Sequence, residues 1–204
     1  MKDQLSHVSP RTQNRNLPYT PVPPADVLKN EPDTDFDLPQ NQEWVRSIFS
    51  KWKKDGTEQP EIIPLQIGAE TVVCESRYPY TDRCQDDEVC ICEMSQADSA
   101  QVEKIIEIAE ADPAGWRKTT LEERHRIMYE AANRLADMRG DLIGCMCAVT
   151  GKTVIEGDVE VSEAVDYARF YTTAMKKFAA LDDVEMKPKG TILVISPWNF
   201  PCAI

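Results

Sequence analysis

An asparagine amide set between two prolines is the part of this chain best equipped for chemistry: Pro197-Trp198-Asn199-Phe200-Pro201. The prolines fix φ on either side of the loop. The amide offers two N–H donors and does not titrate near neutral pH. Such a group can donate to an oxygen that gains negative charge, or it can cap a helix beginning at Pro201. Glu163 is the second candidate. It lies two residues from each of the apolar Val161 and Val165, so on a helix it need not face plain solvent; the alternative is an ordinary solvated glutamate.

Seven cysteines, Cys74, Cys84, Cys90, Cys92, Cys145, Cys147 and Cys202, raise the question of metal or disulfide chemistry. Their number is odd, and no Cys-x-x-Cys spacing occurs. The Cys90/Cys92 pair puts both thiols on one face of a strand, whereas Cys145 and Cys147 diverge on a helix. With only His7 and His125 besides, a Cys/His zinc site is poorly supplied. Free thiols in a reducing compartment is the plainer expectation, with no metal. Composition points the same way. The hydrophobic content of 42% and charged content of 28% are those of a soluble globular protein. The net charge of −12 disfavours nucleic acid and anionic membrane as partners. No run approaches the roughly 20 apolar residues of a membrane span, and neither a signal nor a transit pattern opens the chain. A cytoplasmic location is expected.

The elements that must position these groups follow from periodicity. Ile192-Leu193-Val194-Ile195, after Lys189-Gly190 and before Pro197, reads as a buried strand leading into the asparagine loop. Strand, tight loop and helix start is how open α/β sheets hold ligands at their strand ends. Residues 1–40 hold seven of the fourteen prolines and no sustained apolar period, so they read as a linker or tail, solvated or docked. Asp33-Thr34-Asp35-Phe36 is there an acidic turn with one aromatic anchor. Gln40–Lys53 reads as a helix through Trp44, Ile48, Phe49 and Trp52. Between Glu61 and Met94 short β-branched runs (61–67, 70–76, 88–93), separated at Gly68 and at Pro79–Asp87, predict an antiparallel meander. Helices then follow. One carries Val102, Ile105, Ile106 and Ala109, and one opens at the capping box Thr120–Glu123 with Ile127, Ala131, Leu135 and Met138 on one side. Another, after Gly140, carries Leu142, Ile143, Met146 and Val149. A long amphipathic helix spans about Val154 to Ala180. No internal repeat and no Gly-x-Gly-x-x-Gly fingerprint is present.

Ile195-Ser196-Pro197-Trp198-Asn199-Phe200-Pro201 resembles the signature loop of the NAD(P)-dependent aldehyde dehydrogenases. Thr150-Gly151-Lys152 and the stretch Glu160–Tyr171 agree in order and spacing. The second of these is most similar to the pyrroline-5-carboxylate dehydrogenase branch, which oxidises L-glutamate γ-semialdehyde. Lys29–Phe36 resembles the segment preceding that domain in bifunctional proline-utilisation enzymes. The likeness runs from about Asn30 to Ile204.

The resemblance implies an α/β fold of which this is the N-terminal part: an extended tail, short antiparallel strands, helices and the start of a Rossmann-like parallel sheet. Residues 41–204 would belong to the cofactor-binding domain. It implies that Asn199 donates to the oxyanion formed when a thiolate attacks an aldehyde, a contribution of about 3–4 kcal/mol. Ile195, Ser196, Pro197 and Trp198 would line the nicotinamide end of a site for NAD, with NADP the alternative. Phe200 would face the aldehyde tunnel, and Glu163 would attract the substrate's ammonium group. The reaction implied is thiohemiacetal formation, hydride transfer and thioester hydrolysis. In resembling enzymes the nucleophilic Cys, which is not Cys202, and the general-base Glu come further along, so these residues alone are expected to be inactive. Implied partners are a small aldehyde, a proline dehydrogenase domain or subunit, and further copies of the complete chain. Two other readings stand beside this one: a non-catalytic interaction module, and a thiol-redox or metal protein built on the Cys-x-Cys pairs.

Overall fold

Five helices make the body of the described residues, and four of them begin where the local chemistry tells them to. The computed structural model describes residues 11–85 and 89–204. Helix α1 spans Pro39–Trp52, with proline at the first helical position, where no N–H is needed. Helix α2 (Ser99–Ala111) starts at a capping box formed by Asp98 and Gln101. Helix α3 (Leu121–Asp137) starts at the expected box, Thr120 with Glu123. Helix α4 (Arg139–Thr150) ends on Gly151, whose φ of 73° is the left-handed conformation that closes helices. Two residues later Thr153 and Glu156 form a third box and open α5, Val154–Ala179, the long helix expected from the sequence. A short 3-10 turn, Trp116–Lys118, links α2 to α3.

The core lies where α3, α4 and α5 meet: Ala132, Ala136, Ile143, Met146, Cys147, Val161 and Val165 are all buried. Fully burying each larger aliphatic chain stabilises the fold by about 1.5–3 kcal/mol. Alanines on α3 and Gly157 on α5 keep the helices close. On the far side of α4 the indole of Trp52 lies directly on Gly144, leaving no room for a Cβ there.

The α3 face expected from Ile127, Ala131, Leu135 and Met138 is rotated. His125, Tyr129, Ala132 and Ala136 point inward, while Ile127 and Met138 are exposed. Small residues win the interior because they permit the closer approach. The expected face of α2 is also turned out: Val102, Ile105 and Ile106 are exposed, and Ile108 instead meets the hairpin at Gly68. Gly140 does not punctuate; it lies inside α4, and the break falls at Met138.

The strands form two small sheets rather than one antiparallel meander. Strand β5 (Cys90–Ser95) is central, with β1 (Glu61–Ile63) parallel on one side and β4 (Arg77–Thr81) antiparallel on the other. Ile62 faces Glu93 and Tyr78 faces Met94 across these ladders. β2 (Leu65–Ile67) and β3 (Glu70–Val72) make a separate hairpin turning at Gly68. Pro64 splits the run expected as one strand. Pro79, expected to separate strands, sits within β4. That is allowed because β4 is an edge strand and the missing N–H costs no ladder bond. Glu88, expected to begin the last strand, and His7 lie outside the described residues.

Residues 191–204 form no strand or helix. Ile192 to Ile195 lie open to solvent, between 68% and 82% exposed, where a buried strand was expected. A strand needs a neighbour for its hydrogen bonds, and none of the described strands pairs with this run.

The tail is docked. Val22 exchanges two hydrogen bonds with the Asn133 amide, and the Tyr129 hydroxyl donates to Ala25 O. The backbone of Glu31 donates to Asp166, and that of Thr34 to Asp158. Thr34, rather than Phe36, is the buried anchor of the acidic turn.

Candidate functional site

The asparagine loop is tethered at its C-terminal side. Phe200 N–H donates to Pro197 O at 3.2 Å, closing a tight turn around Trp198 and Asn199. A second turn covers Pro201–Ala203. Its free N–H groups, those of Cys202 and Ala203, donate to one carboxylate oxygen of Glu160, at 2.7 and 3.1 Å. The other oxygen of Glu160 takes the Lys152 ammonium, which also lies 4.8 Å from the centre of the Phe200 ring. Glu160 thus does the capping that sequence offered to Asn199. The Asn199 side chain is exposed and hydrogen-bonded to none of the described residues. Ser196, Pro197 and Trp198 share its exposure, with Trp198 79% open.

Glu163 sits elsewhere. It is half-buried on α5, and the hydroxyl of Tyr167, one turn on, donates to it at 2.9 Å. That bond holds the Tyr167 phenol above its ordinary pKa. The two residues line an open groove of about 550 Å³ between α5 and the tail, with Leu28, Asp166, Phe170 and Tyr171. Asp166 is taken up by Asn30 and by the Glu31 backbone. Glu163 makes no such contact with the described residues of the tail, and it lines the groove. No hydrogen bond among the described residues joins Glu163 to Asn199; their two regions are linked through α5, which also carries Glu160.

Beneath the groove is an ionic cluster that the sequence analysis missed. The Glu31 carboxylate lies 3.1 Å from Arg169 and 3.6 Å from Arg139. Arg139 pairs with Asp158 at 2.8 Å and donates to Ser162 at 2.9 Å. Tyr19 receives the second Arg169 nitrogen at 2.9 Å. A signal was available for part of it. Asp158, Ser162, Val165 and Arg169 follow helical spacing on one face, and two charges on an apolar stripe imply buried partners. Glu160 gave no such sign, because its partners lie eight and more than forty residues away.

All seven cysteines are free thiols. Burial pushes Cys147 and Cys202 up to about 11, with Cys84 and Glu160 adding to it respectively. A thiol so raised is almost wholly protonated at neutral pH and a poor nucleophile, which does not suit Cys202 as a catalytic thiol. Among the described residues no three His, Cys, Asp or Glu are grouped to hold a metal. No helix among them is long and apolar enough to cross a membrane.

Comparison with known proteins decides the family. Residues 73–204 match the model of the aldehyde dehydrogenase family. The chain belongs to that family. Among curated relatives, a 1-pyrroline-5-carboxylate dehydrogenase of Geobacillus sp. (strain WCH70) is 31% identical over 186 residues, covering 86% of this chain and 35% of the relative. One of Bacillus mycoides (strain KBAB4) is 28% identical over 192 residues, covering 87% of this chain and 36% of its own. Among solved structures, a 1-pyrroline-5-carboxylate dehydrogenase from Thermus with bound NAD superposes with a TM-score of 0.77 at 25% identity, over 87% of this chain and 36% of that one. Proline utilization A from Bdellovibrio bacteriovorus, inactivated by N-propargylglycine, has the same fold over 90% of this chain and 20% of its own, with a TM-score of 0.76 and 23% identity. The chain therefore spans about a third of the length of the curated relatives it matches. The α/β architecture expected, that of part of an aldehyde dehydrogenase fold, is the one found.

A solved neighbour carries NAD, and were such a group held here, the exposed loop residues have the character to adjoin it. Pro197 is stiff, and the Trp198 indole is open to stack on a flat ring. Ile195 and Ser196 take part in no ladder among the described residues.

Proposed function

We propose that this chain is the N-terminal part of an NAD-dependent dehydrogenase that oxidises L-glutamate γ-semialdehyde to L-glutamate, in proline catabolism. The observation that carries this reading is the division of labour at the loop. Glu160 satisfies the N–H groups after Pro201, so the Asn199 amide remains free to donate to substrate. When NAD⁺ is bound it accepts the hydride. The residues of this chain do the rest of the work assigned to them: Asn199 donates an N–H to the aldehyde oxygen as it becomes an oxyanion, in the manner worth about 3–4 kcal/mol at other oxyanion sites. Pro197 and Trp198, with Ile195 and Ser196, form the apolar wall beside the nicotinamide. Phe200 flanks the aldehyde, and Glu163 draws the substrate ammonium into the groove beside Tyr167.

The 1-pyrroline-5-carboxylate dehydrogenase names of the relatives support the substrate class, and the NAD-bound neighbour supports the cofactor, with NADP as the alternative. The proline-utilisation neighbour, whose fold this chain shares, supports a proline dehydrogenase domain or subunit as partner. Homo-oligomers of the complete chain belong to the same reading, and seven free thiols agree with the cytoplasm. The test is steady-state oxidation of L-glutamate γ-semialdehyde by the full-length protein, with the 204 residues assayed beside it. Saturable NAD⁺-dependent turnover by the first and none by the second is expected. Preference for an uncharged aliphatic aldehyde would overturn the substrate assignment.

A further inference from the structure

Residues 191–204 have no strand partner, yet the loop within them must hold Asn199 still if its amide is to meet an oxygen. Among the described residues the polar contacts that fasten this segment to the helices are the two N–H groups accepted by Glu160. Only Phe200 and Pro201 separate Asn199 from the first of them. Proline fixes its own φ, and the Phe200 ring lies under the Lys152 ammonium, so little slack remains between anchor and amide. The anchor itself is firm. Glu160 is 2% exposed and adjoins Val161 in the core, and Lys152 follows directly on Gly151 at the end of α4. Lys152 neutralises one oxygen of the carboxylate while the other takes both N–H groups. A charged acceptor serving two donors makes a shorter and stronger bond than a neutral one.

We propose that Glu160, oriented by Lys152, is the positioning residue for Asn199: it caps the turn at Pro201–Ala203 and thereby sets where the Asn199 amide sits. This rests on the reading of Asn199 as the oxyanion donor, and two measurements separate the proposal from that reading. The first is amide hydrogen exchange on the 204-residue chain, corrected for intrinsic rates, which needs no activity. The Cys202 and Ala203 amides should exchange about tenfold or more slowly than those of Ile192–Val194, and Glu160→Leu, which removes both acceptor oxygens, should abolish most of the difference while α3 and α5 stay protected. Equal rates at both segments in the unaltered chain would overturn the proposal.

The second is a double-mutant cycle in the full-length enzyme. Misplacing a catalytic group by about 1 Å can cost on the order of a hundredfold, so Glu160→Gln should lower kcat/KM by about ten- to a hundredfold. Added to Asn199→Ala it should cost less than about twofold more, because the group it positions is gone. Equal losses in both backgrounds would show Glu160 to be merely structural and refute the proposal. Should Glu160→Gln fail to fold, Lys152→Met takes its place in the cycle, with the same two outcomes. A harmless Asn199→Ala would instead defeat the oxyanion reading, leaving the exchange result to judge the anchor.

Discussion

Replacing Glu31 by glutamine should loosen the tail from the helices. The Glu31 side chain is 4% exposed, and both Arg139 and Arg169 beside it are 3% exposed. With Arg15 at 4.0 Å, three guanidinium groups there face two carboxylates, Glu31 and Asp158. The substitution raises the surplus positive charge from one to two and leaves Arg169 with the Tyr19 hydroxyl as its remaining side-chain partner. Removing one member of a buried pair costs about 3–5 kcal/mol, chiefly as the penalty of the stranded charge. Glutamine retains an acceptor and a similar shape, and the backbone anchors at Glu31 and Thr34 persist. The lower end, about 3 kcal/mol, is therefore expected. For a chain of this size that is a fall in Tm of roughly 6–12 °C. Urea unfolding followed by circular dichroism gives the magnitude, and limited proteolysis between Pro18 and Asn30 reports the tail directly. A loss under about 1 kcal/mol with unchanged cleavage would refute the claim that this cluster holds the tail.

Gly144→Ala sets a Cβ against the Trp52 indole and should force α1 away from α4, costing about 1–3 kcal/mol with a shift in tryptophan emission; an unshifted, equally stable variant would contradict the packing. Cys147 and Cys202 should be the last thiols labelled at pH 8. Their folded pKa values of about 11 exceed the unfolded one of about 8.5, so the stability they contribute is whole below the latter and is lost as pH rises through the former. A flat unfolding free energy from pH 8 to 11 would count against this. Glu163→Gln should weaken binding of a cationic amino-acid aldehyde and spare an aliphatic one; equal effects would make Glu163 structural.

What the sequence made legible was local. The capping box at Thr120, the span of α5 and the first helix all follow from spacings of three and four residues, and they stand in the structure within a residue or two. Facing was harder. Ile127 outranks Ala132 in hydrophobicity, but the close approach of α3 to α5 selects alanine for the interior. The Ile192–Ile195 run has every mark of a strand, and β-propensity describes fitness for a pleated, half-buried surface rather than a backbone preference; without a neighbouring strand it stays open. The contacts that matter most to the site were invisible for a plainer reason. Glu31 and Arg169 are 138 residues apart and Glu160 and Cys202 are 42 apart, and nothing in either local pattern names the partner. Asn199 was legible as a donor, whereas its release from capping duty required seeing Glu160.

The central claim, that this chain supplies the oxyanion donor of an aldehyde dehydrogenase, is tested most directly by Asn199→Ala in the full-length enzyme. Because the Asn199 side chain forms no bond with the described residues, stability should change by less than about 0.5 kcal/mol, and cofactor Kd should hold. With L-glutamate γ-semialdehyde, kcat and kcat/KM should fall together by about 10²- to 10³-fold, the loss seen when one oxyanion donor is removed. A variant that turns over at a near-normal rate, whether or not it is destabilised, would contradict the account.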